Sequence, residues 1–163
     1  MNDFLWHTGI AGSIVGGLCF VFSGVRLFQL VTGWVGSQAA GWCAVGAFAL
    51  NANLLYIQST ALTEPVLVAC LIGASYHLAS WLRSNRYADL NLGAIYALAA
   101  TLTRYDAWFY LAVATFVVCS FSWLRNRSWS IGEANGLVFA VVGGYGVVLW
   151  LLYNAVIFGD PLY

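Results

Sequence analysis

The sequence predicts an all-α fold, a polytopic transmembrane bundle of about six spans, and three observations carry that expectation. Of the 163 residues, 62% are hydrophobic and only 7% are charged, against roughly a quarter charged in an ordinary soluble domain. A soluble chain of this size leaves too much surface in water to hide so much apolar side chain. The apolar residues also collect in six runs, at 5–25, 36–55, 65–82, 90–103, 108–124 and 135–158. Each matches or approaches the roughly 20 residues that cross a hydrocarbon core of about 30 Å. Finally, the charges fall between these runs. The whole of 1–163 reads as a single transmembrane domain, without linkers or a repeat of 20–50 residues.

The first run contains Gly12 and Gly16 at a four-residue spacing and is closed by Arg26. Small residues at that spacing let membrane helices approach closely. The second run ends in a polar stretch, Asn51 to Glu64, in which seven side chains before Glu64 can hydrogen-bond. Thr63, Glu64 and Pro65 then read as a helix start, with a capping hydroxyl, an acid in the first turn and an early proline. Arg83 and Arg86 follow the third run.

The fourth and fifth runs are interrupted by Arg104-Tyr105-Asp106. As one helix, the 33 residues of 92–124 would reach about 50 Å, too long for a bilayer. A hairpin is therefore expected, each arm shorter than a normal span and the turn recessed below the surface. The turn has no Gly, Pro or Asn to favour it. Arg125 and Arg127 close the fifth run, and Gly143, Gly144 and Gly146 suit close packing of the sixth.

Hairpin alternation places Arg26, Arg83, Arg86, Arg125 and Arg127 on one side, which the positive-inside rule makes cytoplasmic. In a plasma membrane, residues 83–90 and 125–132 are then cytoplasmic, and the N-terminus and residues 51–63 extracytoplasmic. Asp3, His7, the 51–64 stretch, Arg104 to Asp106 and Asp160 face outward. Arg104 is the one outward arginine. The sequon Asn126-Arg127-Ser128 falls on the cytoplasmic side, and residues 1–25 lack the basic region and cleavage site of a signal peptide.

Zero net charge without lysine excludes a nucleic-acid binder. Cys19, Cys43, Cys70 and Cys119 stand singly in apolar runs and read as small buried packing residues. His7 and His77 are isolated too, so no metal-ligand set is evident; His77 reads as a hydrogen-bonded packing residue. Tyr56, Tyr105, Trp108 and Tyr163 read as an outer aromatic belt, and Trp81, Trp123 and Trp129 as an inner one, the alternative being sugar stacking or lipid-chain contact.

The outward polar groups have two readings. In one, Arg104 and the helix start at Glu64 receive an anionic head group, since a guanidinium and free N–H groups both suit phosphate. Ionisable groups at membrane depth cost roughly 2.5–3.5 kcal/mol each at the bilayer centre, which favours a functional role. In the other, Glu64 only complements the helix dipole, and Arg104 with Asp106 is an interfacial pair.

Three motifs decide the expectation. The segment Asn51-Ala-Asn53-Leu-Leu-Tyr56-Ile-Gln58-Ser59-Thr60-Ala-Leu-Thr63-Glu64-Pro65 resembles the "NPNLLYLQSTAMTEP" type of segment. Thr103-Arg104-Tyr105-Asp106-Ala107-Trp108 resembles "TRYEGW", and Tyr153-Asn154 with Phe158-Gly159-Asp160-Pro161-Leu162-Tyr163 resembles "YN…FGDPLYF". All three recur in multi-pass glycosyltransferases of the GT-C class, in the superfamily of the dolichyl-phosphate-mannose protein mannosyltransferases and aminoarabinose transferases. The resemblance implies an extracytoplasmic enzyme that takes a sugar from a polyprenyl-phosphate carrier.

It also implies an internal part of a longer protein, the family's catalytic acid in the first outer loop lying outside this chain. Arg104 would neutralise leaving-group charge, and Glu64 and Asp106 would orient the acceptor or hold Arg104. Asn53, Tyr56, Gln58 and Ser59 would bind sugar hydroxyls, with Asp160 also a binding candidate. The family allows a divalent metal, though no cofactor is evident in the residues. The competing readings are a small transporter or channel subunit and a non-catalytic assembly partner; a transporter would carry repeats or broken helices, and the sequence suggests neither.

Overall fold

The computed structural model describes residues 9–162, so the expectations placed on Asp3, His7 and Tyr163 lie outside the described residues. Among those described, all regular structure is helical. The elements are α1 (Ile10–Val35), α2 (Gln38–Ala49), α3 (Ala52–Gln58), α4 (Glu64–Ser84), α5 (Tyr87–Thr103), α6 (Asp106–Asn126) and α7 (Trp129–Phe158). Four helices, α1, α4, α6 and α7, are long and apolar enough to cross a membrane, which marks a helical membrane protein. A fifth crossing is available if α2 and α3, bent by 66° at their junction, count as one broken span.

The helix ends follow local chemistry, and several differ from expectation. α1 does not stop at Arg26 but runs nine residues further, because nothing before Gly36 breaks it. Gly36 adopts φ 73°, and its N–H donates to Thr32 O at 2.9 Å. Arg26 therefore sits within a helix, while Arg83 and Arg125 lie in the last turns of α4 and α6 and Arg86 and Arg127 lie between helices. Ser37 opens α2, its Oγ accepting from Ala40 N at 3.4 Å.

The break before α3 is made by Asn51, whose Oδ1 accepts from Asn53 N at 3.0 Å and Leu54 N at 3.3 Å. A side chain that caps a new helix ends the old one. α4 begins at Glu64, with Leu67 N–H donating to Thr63 O at 3.1 Å, and is followed by Asn85 in the left-handed region, φ 56°. α6 begins at Asp106 and has 21 residues, so of the two hairpin arms only α5 is short: its 17 residues reach about 26 Å. α7 starts at Trp129, well before the expected 135, and so carries Glu133 inside a 30-residue helix.

The chain divides into two compact units, Met1–Tyr76 and His77–Tyr163. In the first, α2 and α3 return along the whole length of α1. Phe28 packs tilted against Trp42 near one end (4.9 Å), Phe20 stacks on Phe48 midway (5.0 Å), and Ser13 Oγ donates to Ser59 O at the other (2.9 Å). Gly16 allows the last approach, because a Cβ there would lie 2.7 Å from Gln58 O.

In the second unit, α7 seats on the α5–α6 pair around Leu78, Trp81, Leu90, Ala94, Ala97, Ala114, Val118 and Phe139. Arg125 Nη1 donates to Asn85 Oδ1 at 3.2 Å, joining the end of α6 to the approach to α5. The two helices are thus the expected hairpin rather than one rod. Lipid tails are as apolar as these side chains, so close fit and internal hydrogen bonds hold such a bundle. Thr101 Oγ1 lies 3.0 Å from Gly143 O across the α5–α7 contact, and Asn135 Nδ2 donates to Ser122 Oγ at 3.0 Å. Trp81 is 1% exposed and packs on Phe121 at 6.0 Å; it belongs to this core, not to an interfacial belt.

Candidate functional site

The polar stretch 51–64 folds as a two-turn helix and its flanks. Asn51 is spent on the α3 cap. Ser59 Oγ donates to Tyr56 O at 2.7 Å, and Thr60 Oγ1 to Ile57 O at 2.9 Å, so these hydroxyls close the end of α3. Of the expected sugar-binding residues, Asn53 is exposed and Tyr56 is 67% exposed. Gln58 is half-buried, packed through its backbone against Gly16. Glu64 stands half-buried in the first turn of α4, where its charge complements the helix N-terminus.

The other candidate is the α5–α6 turn. Arg104 ends α5 in an extended conformation (φ −156°, ψ 148°), its N–H donating to Ala100 O at 3.2 Å. Arg104 O then accepts from Ala107 N at 3.2 Å, and Tyr105 O from Trp108 N at 2.9 Å. One extended residue makes the reversal, which explains how the turn forms without Gly, Pro or Asn. Arg104 Nε donates to Asp106 Oδ2 at 2.9 Å, with side chains 31% and 50% exposed. The guanidinium is oriented through one edge by a carboxylate, at the N-terminus of the 21-residue α6. Charge-assisted, planar and partly open, this group can take a phosphate.

A third polar cluster was not anticipated. Asp89, in the first turn of α5, has Oδ1 3.3 Å from His77 Nδ1, and its Oδ2 accepts from Ser80 Oγ (3.0 Å) and Ser84 Oγ (3.4 Å). His77 also stacks on Tyr96 at 5.5 Å. The 3- and 4-residue spacing of His77, Ser80 and Ser84 puts them on one face of α4, a signal the sequence did carry. His77 is the hydrogen-bonded packing residue expected of it, and Asp89 is its partner.

Asp160, exposed, closes an Asx turn by accepting from Leu162 N at 2.9 Å. All four cysteines are free; Cys70 is buried, but Cys43 is exposed on α2 rather than packed inside. Among the described residues no three His, Cys, Asp or Glu side chains gather to hold a metal ion. The described residues therefore offer no cluster of protein ligands for a divalent cation. Trp108 packs edge-on to Trp150 at 5.4 Å, while Tyr105 is 63% exposed.

Comparison with known proteins gives no match: no family model fits the chain, and no curated protein or solved structure resembles it at a significant level.

Proposed function

We propose that the chain is a membrane glycosyltransferase, or part of one, that receives a polyprenyl-phosphate sugar on the extracytoplasmic side. The observation that carries the reading is the Arg104–Asp106 turn. A guanidinium held by a carboxylate at 2.9 Å stands at a helix N-terminus between two apolar helices, within the segment that resembles a glycosyltransferase motif. Transfer of a sugar away from a phosphate builds negative charge on the leaving oxygen, and a preoriented cation stabilises that charge. Asp106 positions Arg104. Glu64 and the exposed Asn53 and Tyr56 supply hydrogen-bonding groups suited to an acceptor or sugar.

The topology we infer has six crossings: the four long helices, the bent α2–α3 pair, and α5. Residues 51–63 and 104–106 are then extracytoplasmic, and 83–90 and 125–132 cytoplasmic. Labelling a Ser84→Cys variant from outside intact cells would refute it.

The functional test is capture of a photoreactive polyprenyl-phosphate sugar in membranes carrying the protein. Arg104→Ala should cut labelling about tenfold or more, the loss of one charge-assisted hydrogen bond of roughly 1.5–3 kcal/mol. Arg104→Lys should fall between, since an ammonium cannot reproduce the planar fork. Folded, inserted Arg104→Ala protein that labels fully sinks the assignment. A specific observation favours a second reading, because broken helices are a transporter device and α2–α3 is bent by 66°. Uptake of a polar solute by proteoliposomes, with no donor capture, would select it.

A further inference from the structure

The first unit carries an apolar groove of about 430 Å³ between α1 and α2, within the roughly 300–1,000 Å³ range of ligand sites. Its walls are Val21, Val25 and Phe28 of α1 and Trp42, Val45 and Phe48 of α2. Gly24 lies on its floor, where an added Cβ would meet nothing within 4 Å. The groove has one polar lining residue, Gln29, and Gln29 Oε1 accepts from Arg26 Nη1 at 3.1 Å. The Arg26 guanidinium lies over the Phe22 ring (5.3 Å) and the Tyr76 ring (4.8 Å). Among the described residues it has no carboxylate partner.

A cation within a spanning helix requires a counter-charge or water. Arg26 lies about 24 Å along α1, a helix of 26 residues and about 39 Å. It is therefore near the far boundary of a 30 Å core, within reach of the headgroup layer. The Phe22 and Tyr76 rings and Gln29 hold it there, and Gln29, which also lines the groove, links the guanidinium to the apolar channel.

We propose that this groove is a binding site for one anionic glycerophospholipid, an acyl chain lying between α1 and α2 and the phosphate on Arg26. The charge selects the occupant. A neutral lipid would fill the channel but leave the guanidinium without its anion, whereas a phosphodiester satisfies both. The site does not depend on the glycosyltransferase reading.

The test is lipid retention. The full chain is reconstituted in mixed phosphatidylglycerol–phosphatidylcholine bilayers and extracted into detergent, and retained lipid is counted by native mass spectrometry. Wild type should retain phosphatidylglycerol in preference by about fivefold, the effect of one basic side chain at an anionic surface. Arg26→Gln should abolish the preference, and Arg26→Lys should keep part of it. Gly24→Leu should fill the channel and lower retention of both lipids. Arg127→Gln, in the other unit, should change neither. An unchanged preference in Arg26→Gln, or in Arg26→Lys full loss with Gly24→Leu retaining lipid normally, overturns the site. Displacement of the lipid by soluble glycerol phosphate as readily as by phosphatidylglycerol would also overturn it, because the acyl chain would then contribute nothing.

Discussion

The two polar breaks in this chain, residues 51–63 and 104–106, are similar in sequence character and opposite in bonding. In the first, Asn51, Ser59 and Thr60 turn back on their own backbone, capping and closing α3. In the second, Arg104 and Asp106 bond to each other through side chains that remain 31% and 50% exposed, while the backbone reverses without their help. A dense run of polar residues can thus be structural punctuation. Two charges in a short turn keep chemistry available. This difference is why Arg104 rather than the longer stretch leads the functional assignment.

The comparison breaks if the two segments are not held as described, and the largest effects test that. Gly16 lies against Gln58 O and Gly146 against Leu98 O, where a Cβ would come to 2.7 and 2.9 Å. Gly16→Leu and Gly146→Leu should each cost about 1–3 kcal/mol or more, read as a lower unfolding midpoint in detergent. Wild-type midpoints would remove the close contacts from the account.

Next comes Asp89, whose loss strips His77, Ser80 and Ser84 of their acceptor. Asp89→Ala should destabilise by about 1–3 kcal/mol, and His77→Ala in that background should then add little. A fully additive double variant would mean that the two residues act separately.

The comparison sharpens with Asn51→Ala, expected to cost about 1 kcal/mol as a lost helix cap. Asn53→Ala, exposed, should stay within about 0.5 kcal/mol. Equal costs would erase the structural role given to Asn51. The smallest effect belongs to the Arg104–Asp106 pair itself. Each alanine variant should lower stability by at most about 1 kcal/mol, less at high salt, because the pair is partly exposed. A larger, salt-insensitive loss would make the pair a structural element and weaken its claim to phosphate.

Much of the fold was legible because hydrocarbon imposes a length and a composition. Helical class and the α5–α6 hairpin follow from that constraint; the start at Glu64 was legible in its capping pattern and Gly12, Gly16, Gly143 and Gly146 in small-residue spacing, whereas Gly144 meets only an ordinary contact at 3.9 Å. The ends of α1 and α7 were misplaced by reading a charge as a stop. Arginine and glutamate are good helix formers, and Arg26 continues the helix while its guanidinium finds aromatic faces. The break at residues 50–51 was missed because a cap that starts α3 looks the same in sequence as any polar residue in a loop. Trp81 was assigned to an interface from its position, whereas the helices around it close over it.

The sequence by itself determined that this chain is helical and built for a membrane, since 7% charge leaves no other solvent for so apolar a surface. It also marked where polar groups concentrate. Only the tertiary structure decided what those groups bond to: Asn51 to its own helix, Arg104 to Asp106, Asp89 to a histidine and two serines twelve, nine and five residues earlier. Hydrogen bonds extend about 3 Å and depend on direction. Partner choice therefore waits on the approach of helices, which composition and periodicity constrain but do not specify.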